Sequence, residues 1–322
     1  MMYILLIGGF AVLLLSAEIF VRGAVGLAKI LSLPPLVIGM TVVAIGTSAP
    51  ELVVTLNASL SGSPGLALGN IIGSNIANVL VILGVSCVIS AVSGPENPHR
   101  RDGIILMAGT AMFALLCVQG VLSFWSGGAL VIAFLGFLVS SYRTETQDAA
   151  AAADHIHEVE GISLIAAPTW AIVLTVLVGM AGILWGADLL VEGGVAIART
   201  FGVSEEMIGL TVIALGTSLP ELAASVVAAY RGHSDIAVGN VVGSNLFNIL
   251  GIAGVAAMVA PLPVSGNILS FDLWVMLAST ALVWPILTGR WHPGWGSGIV
   301  FLALYGAYIG FNGYSAGLFG GS

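Results

Sequence analysis

Residues 39–84 read GMTVVAIGTSAPELVVTLNASLSGSPGLALGNIIGSNIANVLVILG, and residues 209–254 read GLTVIALGTSLPELAASVVAAYRGHSDIAVGNVVGSNLFNILGIAG. Nearly half of the positions in these two segments are identical, and the alignment needs no gap. The same offset pairs Glu18 with Asp188 and Lys29 with Arg199, so the match extends upstream of both segments. The chain therefore consists of two homologous halves.

The composition indicates that the chain lies in a membrane. Apolar residues make up 58% of the 322 positions and charged residues only 7%, whereas soluble domains carry roughly 25% charge. Apolar runs of about 20 residues, long enough to cross a bilayer, recur throughout the sequence. They lack the alternation of a barrel strand, which leaves helices as the structure that satisfies the backbone in lipid. The predicted spans are 3–31, 36–60, 66–91, 103–121, 124–142, 169–201, 207–230, 236–259, 268–287 and 294–313.

These spans predict an all-α, polytopic membrane protein with about ten transmembrane helices in two inverted-topology repeats of five. Five is an odd number, so the second half enters the membrane from the opposite side, as in many secondary transporters. The predicted division is a first five-helix repeat at 1–142, a cytoplasmic acidic linker at 143–168, and a second, inverted five-helix repeat at 169–322.

The few cations predict the orientation of the chain. With the N-terminus outside, seven of the eight Lys and Arg residues face the cytoplasm and only Arg199 faces the other side, as the positive-inside rule requires. Both termini are therefore predicted outside, and the Ala- and Gly-rich composition indicates a prokaryotic plasma membrane. The net charge of −8 argues against a nucleic-acid partner. The seven cytoplasmic cations are Arg22, Lys29, Arg100, Arg101, Arg143, Arg231 and Arg290.

Two polar motifs interrupt an apolar helix in each half. The first is GTSAPE at 46–51 and GTSLPE at 216–221. Pro50 and Pro220 donate no backbone hydrogen bond, so each of these helices should kink or break there. The carbonyl groups freed at 44–47 and 214–217 would be costly in lipid, but around a hydrated cavity they can bind a cation.

The second motif is GNxxGSNxxN, at 69–78 and 239–248. Together the motifs place polar side chains one helical turn apart on four short segments, which can converge on one centre. Of the remaining residues, the glycines are predicted to allow close helix contact and the other asparagines to form interhelical hydrogen bonds. The pairs one turn apart are Thr47 with Glu51, Ser74 with Asn78, Thr217 with Glu221, and Ser244 with Asn248; the glycines are Gly69, Gly73, Gly239 and Gly243; the other asparagines are Asn70, Asn75, Asn240 and Asn245.

Glu51 and Glu221 are the candidate cation ligands. A carboxylate at bilayer depth costs at least about 2.5–3.5 kcal/mol unless it is paired, protonated or bound to a cation. No Lys or Arg stands near either glutamate in the sequence, and the motifs contain no His or Cys. An all-oxygen ligand set suits hard cations such as Ca²⁺ and Na⁺. Two carboxylates neutralise one Ca²⁺, and the same pair can hold Na⁺, so the expected ligands are transported ions and no cofactor.

The doubled motifs resemble the alpha-repeats of the calcium/cation antiporter superfamily, in its sodium/calcium exchanger branch. The resemblance implies that Glu51 and Glu221, with the backbone carbonyls of Thr47 and Thr217, coordinate Ca²⁺. It also implies that several Na⁺ ions exchange for each Ca²⁺. The implied Na⁺ sites use the carbonyls of Ala44 and Ala214 and the side chains of Ser48, Ser74, Ser218, Ser244 and Asn78.

The resemblance bears on two further features. Asn248 lines the implied site at a position where some relatives, including potassium-dependent ones, carry an aspartate, so K⁺ dependence is not expected here. The long first and sixth helices, which carry Glu18 and Asp188, resemble the pair that slides across a rigid core to alternate access. Both charges equally fit a role as cavity-lining groups without a function in transport.

Three functions remain open from the sequence. The first is Na⁺/Ca²⁺ antiport, and the second is Ca²⁺/H⁺ antiport, in which the two glutamates take protons instead of Na⁺. The third is a cation channel lined by the same oxygens. An enzyme is not expected, because no nucleophile and base pair or phosphate-binding loop is present. The sequence makes no prediction of the oligomeric state.

Overall fold

The structure, a computed structural model, describes residues 2–31, 33–92, 100–147, 168–200 and 214–315. Those residues form twelve main helices, and the predicted all-α membrane fold is confirmed. In chain order the helices are α1 (Met2–Leu31), α2 (Pro35–Thr47), α3 (Ala49–Leu60), α4 (Pro64–Ile89), α5 (Arg100–Cys117), α6 (Phe124–Gln147), α7 (Thr169–Thr200), α8 (Ala214–Thr217), α9 (Leu219–Tyr230), α10 (Ser234–Val259), α11 (Ile268–Leu287) and α12 (Trp295–Ser315).

Most of these helices are long and apolar enough to cross a bilayer. Six pass on length and hydropathy, and the α2–α3 pair, bent by 46°, makes a seventh. Helices α8 and α9 occupy the seventh predicted span, of which residues 207–213 lie outside the described residues. Helices α5 and α12 correspond to the fourth and tenth predicted spans.

The contact between α1 and α7 shows how equivalent helices of the two halves are oriented relative to each other. A Cβ added at Gly186 would lie 2.6 Å from the backbone nitrogen of Leu13, and one at Gly179 would lie 2.6 Å from the backbone of Phe20. Residue numbers increase along α1 from Leu13 to Phe20 while those of the contacting α7 residues decrease from Gly186 to Gly179. The two helices are therefore antiparallel. They hold equivalent positions in the sequence repeat, and equivalent helices that run in opposite directions are what an inverted repeat requires.

Helices α4 and α10 form the centre of the molecule. In these two helices 78% and 83% of the apolar window is buried, against 33% in α1 and α7. Two glycines of α10 press against the backbone of α2: a Cβ at Gly239 would lie 2.4 Å from the Leu36 carbonyl oxygen, and one at Gly243 would lie 2.2 Å from that of Met40. The predicted close contact is confirmed for this pair.

The equivalent glycines of α4 have a different outcome. No described atom lies within 4 Å of a Cβ built at Gly69 or Gly73. In the repeat alignment, the counterpart of the α2 segment that covers α10 is residues 206–210, which lie outside the described residues. The predicted close contact of these two glycines therefore stays a prediction.

Two further contacts join the halves. A short antiparallel pairing connects β1 (Val121–Leu122), after α5, with β2 (Leu262–Pro263), after α10. On the α1 side, Glu18 accepts hydrogen bonds from Arg22 Nε at 2.6 Å and from Arg231 Nε, in the turn after α9, at 2.8 Å. This ion pair ties α1 of the first half to the second half.

The connection between the halves is described only in part. Helix α6 continues to Gln147, beyond the predicted repeat boundary at residue 142. Residues 148–167, which make up most of the predicted linker, lie outside the described residues. The division into 1–142, 143–168 and 169–322 stays a prediction.

Candidate cation-binding site

A helix break carries each candidate glutamate into the interior. Helix α2 ends at Thr47, Ser48 forms a turn, and α3 begins at Ala49 with a bend of 46°. Pro50 stands in the first turn of α3, where it has no N–H to offer to the carbonyl four residues earlier. The second half repeats this arrangement, with a break between α8 and α9.

The carbonyl groups at the two breaks are not equally free. The Ala44 carbonyl accepts the Ser48 N–H at 3.0 Å, whereas the Ser218 N–H donates to the Leu215 carbonyl at 3.2 Å. Thr47 Oγ1 also lies 3.4 Å from the Ala44 oxygen. The predicted Na⁺ roles of Ala44 and Ala214 stay predictions.

The two glutamates converge through crossed hydrogen bonds. Ser48 Oγ donates to Glu221 Oε1 at 2.6 Å, and Ser218 Oγ donates to Glu51 Oε1 at 3.3 Å. Each serine stands at the break of its own half and binds the carboxylate of the other half. Both glutamates are only 1% exposed. One buried site thus contains both.

Several polar atoms of this site lack partners. The Oε2 atoms of Glu51 and Glu221, the Oδ1 atom of Asn78, and both amide atoms of Asn248 are buried with no hydrogen-bond partner in the described part of the chain. A buried polar atom without a partner costs about 1–3 kcal/mol, and more when it is charged. These atoms are therefore those that a bound cation, or its water, would satisfy.

Neutral oxygens surround the carboxylates. Thr47 Oγ1 donates to the Val43 carbonyl at 3.0 Å, and Ser48 Oγ, whose proton goes to Glu221, lies 3.1 Å from Ser244 Oγ. Asn78 Nδ2 donates to Asn245 Oδ1 at 3.0 Å, between α4 and α10. Most of the remaining predicted residues are also buried, although no hydrogen bond links Asn248 to the cluster. Those buried residues are Ser74, Thr217, Ser218 and Asn248; of Ala214 only the backbone is described.

Three of the four other asparagines form interhelical hydrogen bonds, as predicted. Asn70 and Asn240 each donate to the backbone of a candidate glutamate, and Asn245 donates to the Asn75 carbonyl at 3.4 Å. Asn75 takes part in that interhelical bond only through its backbone carbonyl, because its Nδ2 donates to the Ile71 carbonyl of its own helix at 2.8 Å.

Two hydroxyl groups in this network were missed by the sequence analysis. Thr55 and Ser225 accept hydrogen bonds from Asn70 and Asn240, respectively. The signal was present, because the two residues occupy the same position in the repeat and both carry a hydroxyl.

The ligand chemistry of the site is that of oxygen. In the described part of the chain, no three His, Cys, Asp or Glu side chains group together as a metal site would require. The site instead has two carboxylates supplemented by hydroxyl, amide and carbonyl oxygens. A formal charge of −2 in such a set suits one divalent or two monovalent hard cations.

A membrane-spanning inverted repeat that encloses a buried polar site defines the class of secondary transporters. The family described as sodium/calcium exchanger protein matches residues 1–143 and 171–314. The sodium/calcium exchanger MaX1 of Methanosarcina acetivorans is 30% identical, over 95% of this chain and 97% of MaX1. The putative antiporter CaxA of Alkalimonas amylolytica is 36% identical, over 84% of this chain and 85% of CaxA.

A solved structure of the sodium-calcium exchanger NCX_Mj superposes with a TM-score of 0.82 at 30% identity, covering 95% of this chain and 96% of that chain. The chain therefore belongs to the sodium/calcium exchanger family. It is a multi-pass membrane protein that acts as a cation/calcium antiporter, and the prediction that it is not an enzyme is confirmed.

Proposed function

We propose that this chain exchanges Na⁺ for Ca²⁺ by alternating access to a site near the middle of the membrane, held by Glu51 and Glu221. The observation that carries the proposal is the pair of crossed serine–glutamate bonds, which leaves one carboxylate oxygen of each glutamate unpartnered in a buried site. Thr47 and Thr217 supply the additional Ca²⁺ ligands through their carbonyls.

The charge of the site explains why exchange is coupled. An empty site holds two carboxylates in a low-dielectric interior, which is costly. One Ca²⁺ or two Na⁺ ions neutralise the pair, so the loaded site can change its access while the empty one is penalised. The Na⁺ ligands proposed around the carboxylates are Ala44, Ser48, Ser74, Asn78, Ala214, Ser218 and Ser244, with Asn248 lining the site.

Calcium uptake into vesicles tests this function. The purified chain is reconstituted into liposomes loaded with Na⁺, and ⁴⁵Ca²⁺ is added outside in Na⁺-free buffer. Uptake is expected with the outward Na⁺ gradient and not when choline replaces internal Na⁺. Uptake that needs an outward H⁺ gradient instead would establish Ca²⁺/H⁺ antiport, and uptake without any counter-ion would establish a channel.

We also propose that both termini face the outside of a prokaryotic plasma membrane. The distribution of the cations supports this orientation, since seven of eight then face the cytoplasm. Reporter fusions at the C-terminus test it: alkaline phosphatase, which is active only outside, should be active there. An active cytoplasmic reporter at the same position would reverse the assignment.

A further inference from the structure

One buried asparagine contacts several of the proposed ligand residues at once. Asn240, on α10, is completely buried. Its Nδ2 donates to the Glu221 carbonyl at 3.3 Å and to Ser225 Oγ at 2.9 Å. Its Oδ1 lies 3.3 Å from Thr47 Oγ1 and 3.4 Å from Ser244 Oγ. A primary amide offers two donors, and both donors of this side chain are used within the protein, while its oxygen faces two hydroxyl groups of the site.

The same amide contact occurs in the first half. Asn70, on α4, donates to the Glu51 carbonyl at 3.3 Å and to Thr55 Oγ1 at 2.9 Å. Both distances equal those around Asn240. Two halves that differ at about half of their positions in this region thus hold the backbone of their glutamate in the same way.

The position of these contacts explains what they do. Each glutamate lies in the first turn after a break, so the preceding helix does not hold its backbone in line. The asparagine bonds the peptide carbonyl of the glutamate and a hydroxyl one turn later on the same helical face. Rotation of α3 or α9 about its axis, or a slide along it, would break both bonds together.

We propose that Asn240, with Asn70 as its counterpart, is a positioning residue of the ion site. Asn240 fixes Glu221, Thr47 and Ser244, which come from both halves of the chain, relative to one another. It thereby sets the size of the site and its preference among divalent cations of different radius. The inference rests on the proposed cation site.

The test compares Asn240→Leu, which keeps the branching and number of the heavy side-chain atoms and removes the polar contacts, with Asn57→Ala, which removes an exposed amide of α3. Calcium binding to the full-length chain in detergent is measured by titration calorimetry, and transport in liposomes gives KM, Vmax and the Ca²⁺/Sr²⁺ ratio. Asn240→Leu should weaken Ca²⁺ binding about tenfold. The reason is that a hydrogen bond that holds the ligands in place contributes a net free energy of about 1–1.5 kcal/mol. KM should rise by the same factor and the Ca²⁺/Sr²⁺ ratio should change, whereas Asn57→Ala should match the wild type.

A merely structural role predicts a different result. The variant would then give less folded protein, but the folded fraction would bind Ca²⁺ and discriminate Sr²⁺ like the wild type, which would overturn the inference. If Asn240→Leu does not fold, Asn70→Leu replaces it with the same expected shift in KM. A wild-type KM and Ca²⁺/Sr²⁺ ratio in Asn70→Leu would equally overturn it.

A double substitution separates this inference from the proposed site. In a Glu221→Gln background, adding Asn240→Leu should weaken Ca²⁺ binding by a smaller factor than it does in the wild type, because one of the groups that it positions, the Glu221 carboxylate, is gone. Wild-type Ca²⁺ binding by Glu221→Gln would overturn the cation site itself. Loss of binding in Glu221→Gln together with wild-type binding in Asn240→Leu would overturn only the positioning role.

Discussion

Replacing Glu221 by glutamine removes one of the two negative charges of the site and keeps the shape of the side chain. Opposite unit charges 4 Å apart attract by about 4 kcal/mol at an effective dielectric constant of about 20, and a divalent ion doubles this to about 8 kcal/mol. Against this gain stands the cost of burying the carboxylate, which is several kcal/mol. We therefore expect a net loss of about 3 kcal/mol or more, or Ca²⁺ binding weaker by about a hundredfold.

The structure predicts that the fold survives this change. Glu221 Oε1 accepts from Ser48, and the glutamine oxygen can accept the same bond. The amide also removes a charge from a buried position, where a charge is costly, so thermal unfolding in detergent should not shift to lower temperature. Because Glu51 lies in the equivalent place, Glu51→Gln should behave in the same way.

The assay is Na⁺-driven ⁴⁵Ca²⁺ uptake in liposomes, with calorimetric Ca²⁺ binding measured in parallel. Glu192→Gln is the matched control, since it makes the same chemical change at an exposed carboxylate of α7, and it should transport like the wild type. Wild-type uptake and affinity in folded Glu221→Gln would refute the assignment of this residue as a cation ligand.

Two further predictions concern packing. Gly179→Ala places a methyl group 2.6 Å from the Phe20 backbone, so we expect destabilisation of about 1–3 kcal/mol, measured as a lower unfolding temperature. Gly8→Ala is the control, because Gly8 has open space around it, and it should leave the unfolding temperature unchanged. Equal stability of the two variants would contradict the close contact. The thiols of Cys87 and Cys117 are at most 1% exposed, so a maleimide should label neither in the native protein and both after denaturation. Rapid labelling of either native thiol would contradict its burial.

The fold was largely predictable because two simple signals determine it. Apolar run length identifies the segments that cross the bilayer, and the duplicated motifs give the symmetry between the halves. An odd number of spans per half then requires the inversion, which the antiparallel contact of Gly186 with Leu13 displays. Helix boundaries are harder, because the last turns of a helix extend beyond the apolar run: α6 continues to Gln147.

The candidate site was predictable in its members and not in its contacts. Spacing along a helix places Thr47 and Glu51 on one face, but Ser48 is adjacent to Thr47 and should face elsewhere. The break at Ser48 redirects its hydroxyl toward Glu221 of the other half. Such a contact depends on how two distant bent helices pack, which local sequence does not encode.

The amide network has the same limit. The motif identified Asn240 as an interhelical partner, but its orientation depends on which groups surround it. The carbonyl of Glu221 lies on one side, and the hydroxyls of Thr47 and Ser244 lie on the other. Only the assembled site shows that this amide joins the Glu221 backbone to the hydroxyl groups of Thr47 and Ser244.

The glycine contact between α1 and α7 has a consequence for how such a chain could originate. Each of the two helices has glycines on the face that contacts the other, so the two backbones lie close together. The two helices belong to different halves of the chain. A single ancestral half would have left that face bare unless a second copy entered the bilayer upside down beside it. In that case, gene fusion would have linked two copies that already packed together with opposite orientations in the membrane.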